Sequence, residues 1–174
     1  MANGASRRLF WGIVASVIVL DFSTKILVVD KLPSRMPVRL IGDWVKLQLV
    51  YNPGAAFGIH VGSYSRWVFT ILAVIALMVL GAMVRQTDPS HKVRLTALAL
   101  VCGGAVGNLI DRLRSSQGVV DFIDVGIETI RWPTFNVADM AVTCGAVTLA
   151  LVLWMEGRQA ESQAKQTEGT APAS

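Results

Sequence analysis

Four long apolar segments dictate what this chain can fold into. They run over about 9–29, 67–84, 93–110 and 137–155. Each approaches the ~20 residues that a helix needs to cross a hydrocarbon core about 30 Å thick. In that medium backbone N–H and C=O groups must be satisfied within the segment, so isolated apolar runs fold as helices. The expected fold class is therefore an all-α membrane protein, a four-transmembrane-helix bundle occupying residues 1–156 as one domain. Composition agrees: 53% of the 174 residues are hydrophobic and 16% charged, with mean hydropathy +0.52, whereas a soluble domain carries about 25% charged residues.

The first segment follows Arg7 and Arg8 and is interrupted by Asp21 and Lys25. A cleavable leader would end in a small-residue A-x-A-like site. Here the run continues through Ile26-Leu27-Val28-Val29 instead, so an uncleaved first helix is expected. Residues 85–92 form a short polar turn between the second and third segments. The other two connections, 30–66 and 111–136, are long and must share one side of the membrane. In the first of these, Trp44-Val45-Lys46-Leu47-Gln48-Leu49-Val50-Tyr51 alternates with strand periodicity and then turns at Asn52-Pro53-Gly54. A small extracytoplasmic β element between helices 1 and 2 is expected. The polar tail, 157–174, is low in hydrophobicity and is read as disordered.

Charge leaves the orientation open. Excluding Lys25, seven basic residues lie on the side of the termini and eight on the other. The positive-inside rule weighs short loops and the first helix most, so Arg7, Arg8 and the dense Arg85–Arg94 turn favour termini inside. The net charge of +4 does not imply nucleic-acid binding, since the basic residues form no stripe interleaved with aromatics. Membrane lipids are the natural partners of cations flanking apolar spans. Cys102 and Cys144 fall inside spans as small packing groups, His60 and His91 are isolated, and no metal-ligand spacing or phosphate loop occurs. No metal or other cofactor is expected.

Charged groups within spans cost roughly 2.5–3.5 kcal/mol each on insertion scales and are functional candidates by default. Asp139 opens the fourth span without a basic residue within a helical turn. Its plain reading is an acid favoured by a helix N-terminus. Asp121 sits in the apolar run Val119-Val120-Asp121-Phe122-Ile123, while Asp124, near Gly126, is expected to be solvated. Two carboxylates held close cannot both ionise easily and share a proton. One then draws a proton from water while the other polarises a carbonyl, which is hydrolysis without a covalent intermediate. Asn108 and Arg112 fall at i and i+4 on one helix face, although Arg112 alone could be snorkelling to headgroups. Asp21 and Lys25 are expected to neutralise each other as a structural pair. Gly103, Gly104 and Gly107 fit close helix contacts. A small carrier using a membrane carboxylate as proton relay is the alternative function, but the acids here cluster at one interface beneath long loops. A purely structural membrane subunit would leave Asp139 unexplained.

The blocks Asp21-Phe22-Ser23-Thr24-Lys25, Asn52-Pro53-Gly54-Ala55-Ala56-Phe57-Gly58, Gly107-Asn108-Leu109-Ile110-Asp111-Arg112, Val119-Val120-Asp121-Phe122-Ile123 and Trp132-Pro133-Thr134-Phe135-Asn136-Val137-Ala138-Asp139 occur in one order. Together they resemble the lipoprotein signal peptidases, or signal peptidase II, bacterial membrane aspartic peptidases, over about 10–155. The resemblance implies catalytic roles for Asp121 and Asp139, and support from Asn52, Gly54, Asn108, Arg112 and Asn136. It gives Asp21 and Lys25 a structural role; Phe22 stands where the family often has a polar residue. It implies a multi-pass protein of the inner membrane, with cytoplasmic termini and an active site near the outer leaflet. The implied substrate is a diacylglyceryl-modified prolipoprotein, cut before its lipidated cysteine. A monomer is expected.

Overall fold

The third span is the axis of the molecule. A computed structural model describes residues 4–32, 36–54 and 62–169. Its helices are α1 (Gly4–Lys31), α2 (Ser65–Gln86), α3 (Lys92–Arg114) and α4 (Val137–Gly169). They take up the four apolar segments, each long and apolar enough to cross a membrane. Helix α3 packs against the other three, and 50% of its span is buried inside the protein, against 6% for α2. Small residues make this possible. A Cβ on Gly104 would strike the carbonyl of Ala138 in α4, and one on Gly107 would lie 2.7 Å from Asp21 Oδ2 in α1. The glycines thus let α3 approach both neighbours closely, as expected for membrane helix contacts. Leu98 and Ala99 of α3 are fully buried against Phe10, Val14 and Leu80.

One end of the bundle is tied by polar contacts. Ser6 Oγ donates to the carbonyl of Pro89 at 2.7 Å, and Arg94 Nη1 donates to Glu156 Oε2 at 3.1 Å. The start of α1, the α2–α3 turn and the outer part of α4 therefore share that end. Helix α4 does not stop near 156. It continues to Gly169, so the expectation of a disordered tail from 157 is corrected over the described part. Low hydrophobicity misled that expectation: Gln, Ala, Glu and Lys are good helix formers, and Glu161 and Lys165 stand in the favourable i,i+4 order.

The other end carries a four-stranded antiparallel sheet of order β1-β2-β3-β4, formed by β1 (Val38–Ile41), β2 (Val45–Asn52), β3 (Val119–Ile127) and β4 (Ile130–Arg131). The expected strand between helices 1 and 2 is β2. Its main partner, β3, comes from the connection between α3 and α4, so the two long connections pair with each other. Val50 stands opposite Asp121 and Asn52 opposite Val119. Val28, Val120 and Phe122 pack with Leu47, Leu49 and Val137 to seat the sheet on the bundle. The loop residues Ala55, Ala56, Phe57 and Gly58 lie outside the described residues.

Candidate active site

Strand β3 and the first turn of α4 are stitched together just where the two aspartates stand. Phe135 accepts hydrogen bonds at its carbonyl from the backbone N–H groups of Phe122 (3.0 Å) and Ile123 (2.8 Å), and its own N–H donates to Ile123 at 3.0 Å. This places Asn136 beside Asp121. Asn136 is fully buried, and its Nδ2 donates to Asp121 Oδ1 at 2.7 Å. Asn136 also caps α4: its Oδ1 accepts the N–H of Asp139 at 2.9 Å, while Asp139 Oδ2 accepts the N–H of Asn136 at 3.1 Å. That reciprocal pair is a capping box with an aspartate in the position usually held by Glu or Gln. The plain reading of Asp139, an acid at a helix N-terminus, is therefore correct for one of its oxygens. The other, Oδ1, accepts Nδ2 of Asn108 at 2.8 Å.

Asp121 completes the pattern. Its Oδ2 accepts Nδ2 of Asn52 at 3.1 Å, and Asn52 Oδ1 accepts the N–H of Gly54 at 3.0 Å, which shapes the turn after β2. All four oxygens of the two aspartates thus receive an amide donor. This donor set suits carboxylates that carry charge or share a proton, rather than ligands reserved for a cation. Burial pushes the Asp121 carboxyl up to about 6, with the charge of Asp139 adding to it and the Asn52 and Asn136 amides opposing. An acid raised by burial and a like charge is a recognised signature of acid–base sites.

Behind the pair lies a buried cation. Lys25 Nζ stands 2.8 Å from Asp21 Oδ2, 2.8 Å from Asp111 Oδ2 and 3.0 Å from Asn108 Oδ1. Asp21 Oδ1 accepts the N–H of Ala138 at 2.9 Å, so this pair also steadies the start of α4. The Asp21–Lys25 pair is present, but its cation is shared. Asp111, which the sequence reading quoted without a role, also accepts the N–H of Val120 at 3.1 Å and so holds β3 next to Asp121. A third charge one turn beyond Asn108 was the available signal. Arg112 lies half-buried, donates from Nη1 to the Asn108 carbonyl at 3.2 Å, and makes no ion pair with either aspartate among the described residues. Its Nε is buried without a hydrogen-bond partner among those residues.

Asp124 is not solvated as expected. It is buried and its Oδ1 accepts Arg131 Nε at 2.7 Å. In a strand, side chains two apart share a face and those three apart do not, so Asp124 is turned away from the side that presents Asp121.

The family described as signal peptidase (SPase) II matches residues 13–155. The chain belongs to the signal peptidase II family. A lipoprotein signal peptidase of Paraburkholderia phytofirmans is 42% identical over 152 residues, covering 86% of this chain and 86% of that protein. One of Rhodococcus jostii is 41% identical over 171 residues, covering 93% and 80%. A bacterial membrane enzyme solved by the in meso method at 2.3 Å resolution superposes with a TM-score of 0.75 at 27% identity, covering 95% of this chain and 93% of that one. As a member of the signal peptidase II family the chain is an aspartic endopeptidase, and its four apolar helices make it a multi-pass membrane hydrolase.

Proposed function

We propose that this enzyme removes the signal peptide from diacylglyceryl-modified prolipoproteins, cutting before the lipidated cysteine, with Asp121 and Asp139 as its catalytic pair. The observation that carries the reading is the Asn136 link between two carboxylates at the end of the spans. A lipid-anchored precursor presents its scissile bond at membrane depth, which is where a pair seated between α4 and the sheet would meet it.

In this reading Asp121, the buried acid of the sheet, carries the shared proton and donates it toward the scissile carbonyl oxygen. Asp139, at a helix N-terminus that favours negative charge, takes a proton from the attacking water. The tetrahedral intermediate collapses when that proton passes from Asp139 to the leaving nitrogen; the C–N bond breaks as one hydroxyl re-forms the carbonyl and returns its proton to Asp121, which restores the pair. Asn52, Asn108 and Asn136 hold the carboxylates in register, and Gly54 gives the N–H that holds the Asn52 side chain. Arg112, its Nε buried and without a hydrogen-bond partner among the described residues, supports the charge that develops on the substrate. The enzyme works as a monomer in the bacterial inner membrane, with both termini cytoplasmic and the site near the outer leaflet. The dense basic turn at Arg85–Arg94, on the same end as Ser6, supports that orientation.

Cleavage of a lipidated precursor peptide by the purified protein tests the reading. Asp121→Asn and Asp139→Asn are each expected to abolish cleavage while insertion and folding persist. Full activity in either variant, or equal cutting of a precursor without the lipid, overturns it.

A further inference from the structure

A cavity of about 490 Å³ opens between α1, the end of α3 and the sheet, lined by Lys25 and Asp111 of the network behind the aspartates and by Phe22, Ile26, Val29 and Arg114 outside it. Phe22, Ile26 and Val29 of α1 form one wall. Their i, i+4, i+7 spacing is a single helix face. Ile26 and Val29 are 52% and 45% exposed, so in a membrane this wall faces acyl chains. At the span end the wall meets Arg114, whose guanidinium stands 4.8 Å from the Phe22 ring centroid. Ser115 and Tyr51 line the same cavity.

The charge balance selects the ligand. Both acids that line the cavity are paired with a lysine: Asp111 with Lys25 and Asp30 with Lys31, each at 2.8 Å. Arg114 makes no ion pair among the described residues. Arg114 is therefore the one lining charge without an ion pair among the described residues, beside the hydroxyl-bearing residues Ser115 and Tyr51 and above an apolar track. That order, cation and donors at the interface with hydrocarbon below, matches a phospholipid with a net negative headgroup.

We propose that this cavity is a binding site for an anionic phospholipid of the bilayer, its phosphate on Arg114, Ser115 and Tyr51 and one acyl chain along Phe22, Ile26 and Val29. The site is independent of the peptidase reading, because neither Arg114 nor Val29 belongs to the aspartate network.

The test is native mass spectrometry of the delipidated full chain, titrated in parallel with phosphatidylglycerol and phosphatidylcholine. The wild type is expected to retain one phosphatidylglycerol with about fivefold preference, the contribution of one interfacial cation. Arg114→Gln should bring the preference to about one. Val29→Trp fills the track and leaves every charge in place, so it should lower retention of both lipids; it decides the matter if Arg114→Gln melts early. No preference in the wild type, or retention unchanged in folded Arg114→Gln or Val29→Trp, overturns the proposal. So does one-for-one displacement of phosphatidylglycerol by a non-cleavable lipidated precursor, which would give the cavity to the substrate.

Discussion

The side-chain amide of Asn136 donates to Asp121 Oδ1 at 2.7 Å, so the residue that caps α4 also grips the carboxylate of the neighbouring strand. Through its cap Asn136 fixes Asp139 as well. One buried residue therefore contacts both acids, with Asn108 holding Asp139 and Asn52 holding Asp121 at their other oxygens.

That dual role can be separated by substitution. Asn136→Ser keeps a capping oxygen but loses the amide donor, and Asn136→Ala loses both. Both variants are expected to drop kcat by roughly 10²–10³-fold, the range for losing one preorganised donor. Only Asn136→Ala should lose a further ~1 kcal/mol of stability for the missing cap. Measuring kcat beside thermal melting in detergent checks this. A fall in melting temperature without a fall in kcat would make Asn136 purely structural.

Asp121 carries a pH signature. Its carboxyl moves from 3.8 to about 6 in the fold, so the folded protein binds that proton more tightly than the unfolded chain does. The resulting stabilisation is complete below 3.8 and is lost as pH rises through about 6. At neutral pH the ionised group therefore costs on the order of 3 kcal/mol. Asp121→Asn should be inactive yet melt higher than wild type at about pH 8, the gap closing by about pH 4. The wild-type kcat/KM should fall on the alkaline side with an apparent value near 6 that belongs to the pair. A melting difference that grows toward low pH would contradict the assignment.

The bundle was legible because periodicity and length dominate in a membrane: the four apolar runs required only that backbone groups be satisfied locally. The β2 strand was legible from the alternation of Val45 to Tyr51. Strand β3 was not, although Val119, Val120, Ile123 and Val125 favour strands. Two aspartates in that run drew attention to chemistry, and a strand buried along much of its length shows no alternation to read. The pairing of β2 with β3 joins segments about seventy residues apart and left no local trace. The site residues were legible as residue types in a recognisable order, but their wiring was not. Nothing in the spacing of Asn136 and Asp121 says that one binds the other, and Lys25 looked like the partner of Asp21 because only i,i+4 neighbours are visible in a sequence.

Asp124 offers a contrast within the same strand. Its ion pair with Arg131 is half-hidden, with side-chain exposures of 7% and 20%. Asp124→Asn leaves a mostly buried guanidinium short of one charged partner, at a cost of about 1–3 kcal/mol. Melting temperature should drop, while kcat/KM measured well below the melt should stay within a few-fold of wild type. Double substitution to Asp124→Asn with Arg131→Gln should recover part of the lost stability. If Asp124→Asn abolishes cleavage in a folded protein while Asp121→Asn does not, the catalytic pair has been misassigned.

The turn after β2 reaches Asp121 through Asn52, and this makes its two residues distinguishable. Asn52→Ala removes a donor from Asp121 Oδ2 and also frees the N–H of Gly54. Because that donor opposes the rise of the Asp121 carboxyl, its loss should shift the alkaline limb of the pH profile upward as well as lower kcat/KM. Gly54 adopts φ +112, where L side chains are strained, and an added Cβ would lie 2.9 Å from Phe69 Cδ2 and 3.1 Å from the Ser65 backbone. Gly54→Val should therefore push the turn away from α2 and raise KM, while the limb moves less than in Asn52→Ala. The bundle is held by α3 packing elsewhere, so both variants should keep a cooperative melt within a few degrees of wild type. Unchanged kinetics would reduce the turn to a connector. A collapse of the melt that tracks the loss of activity would make its role structural.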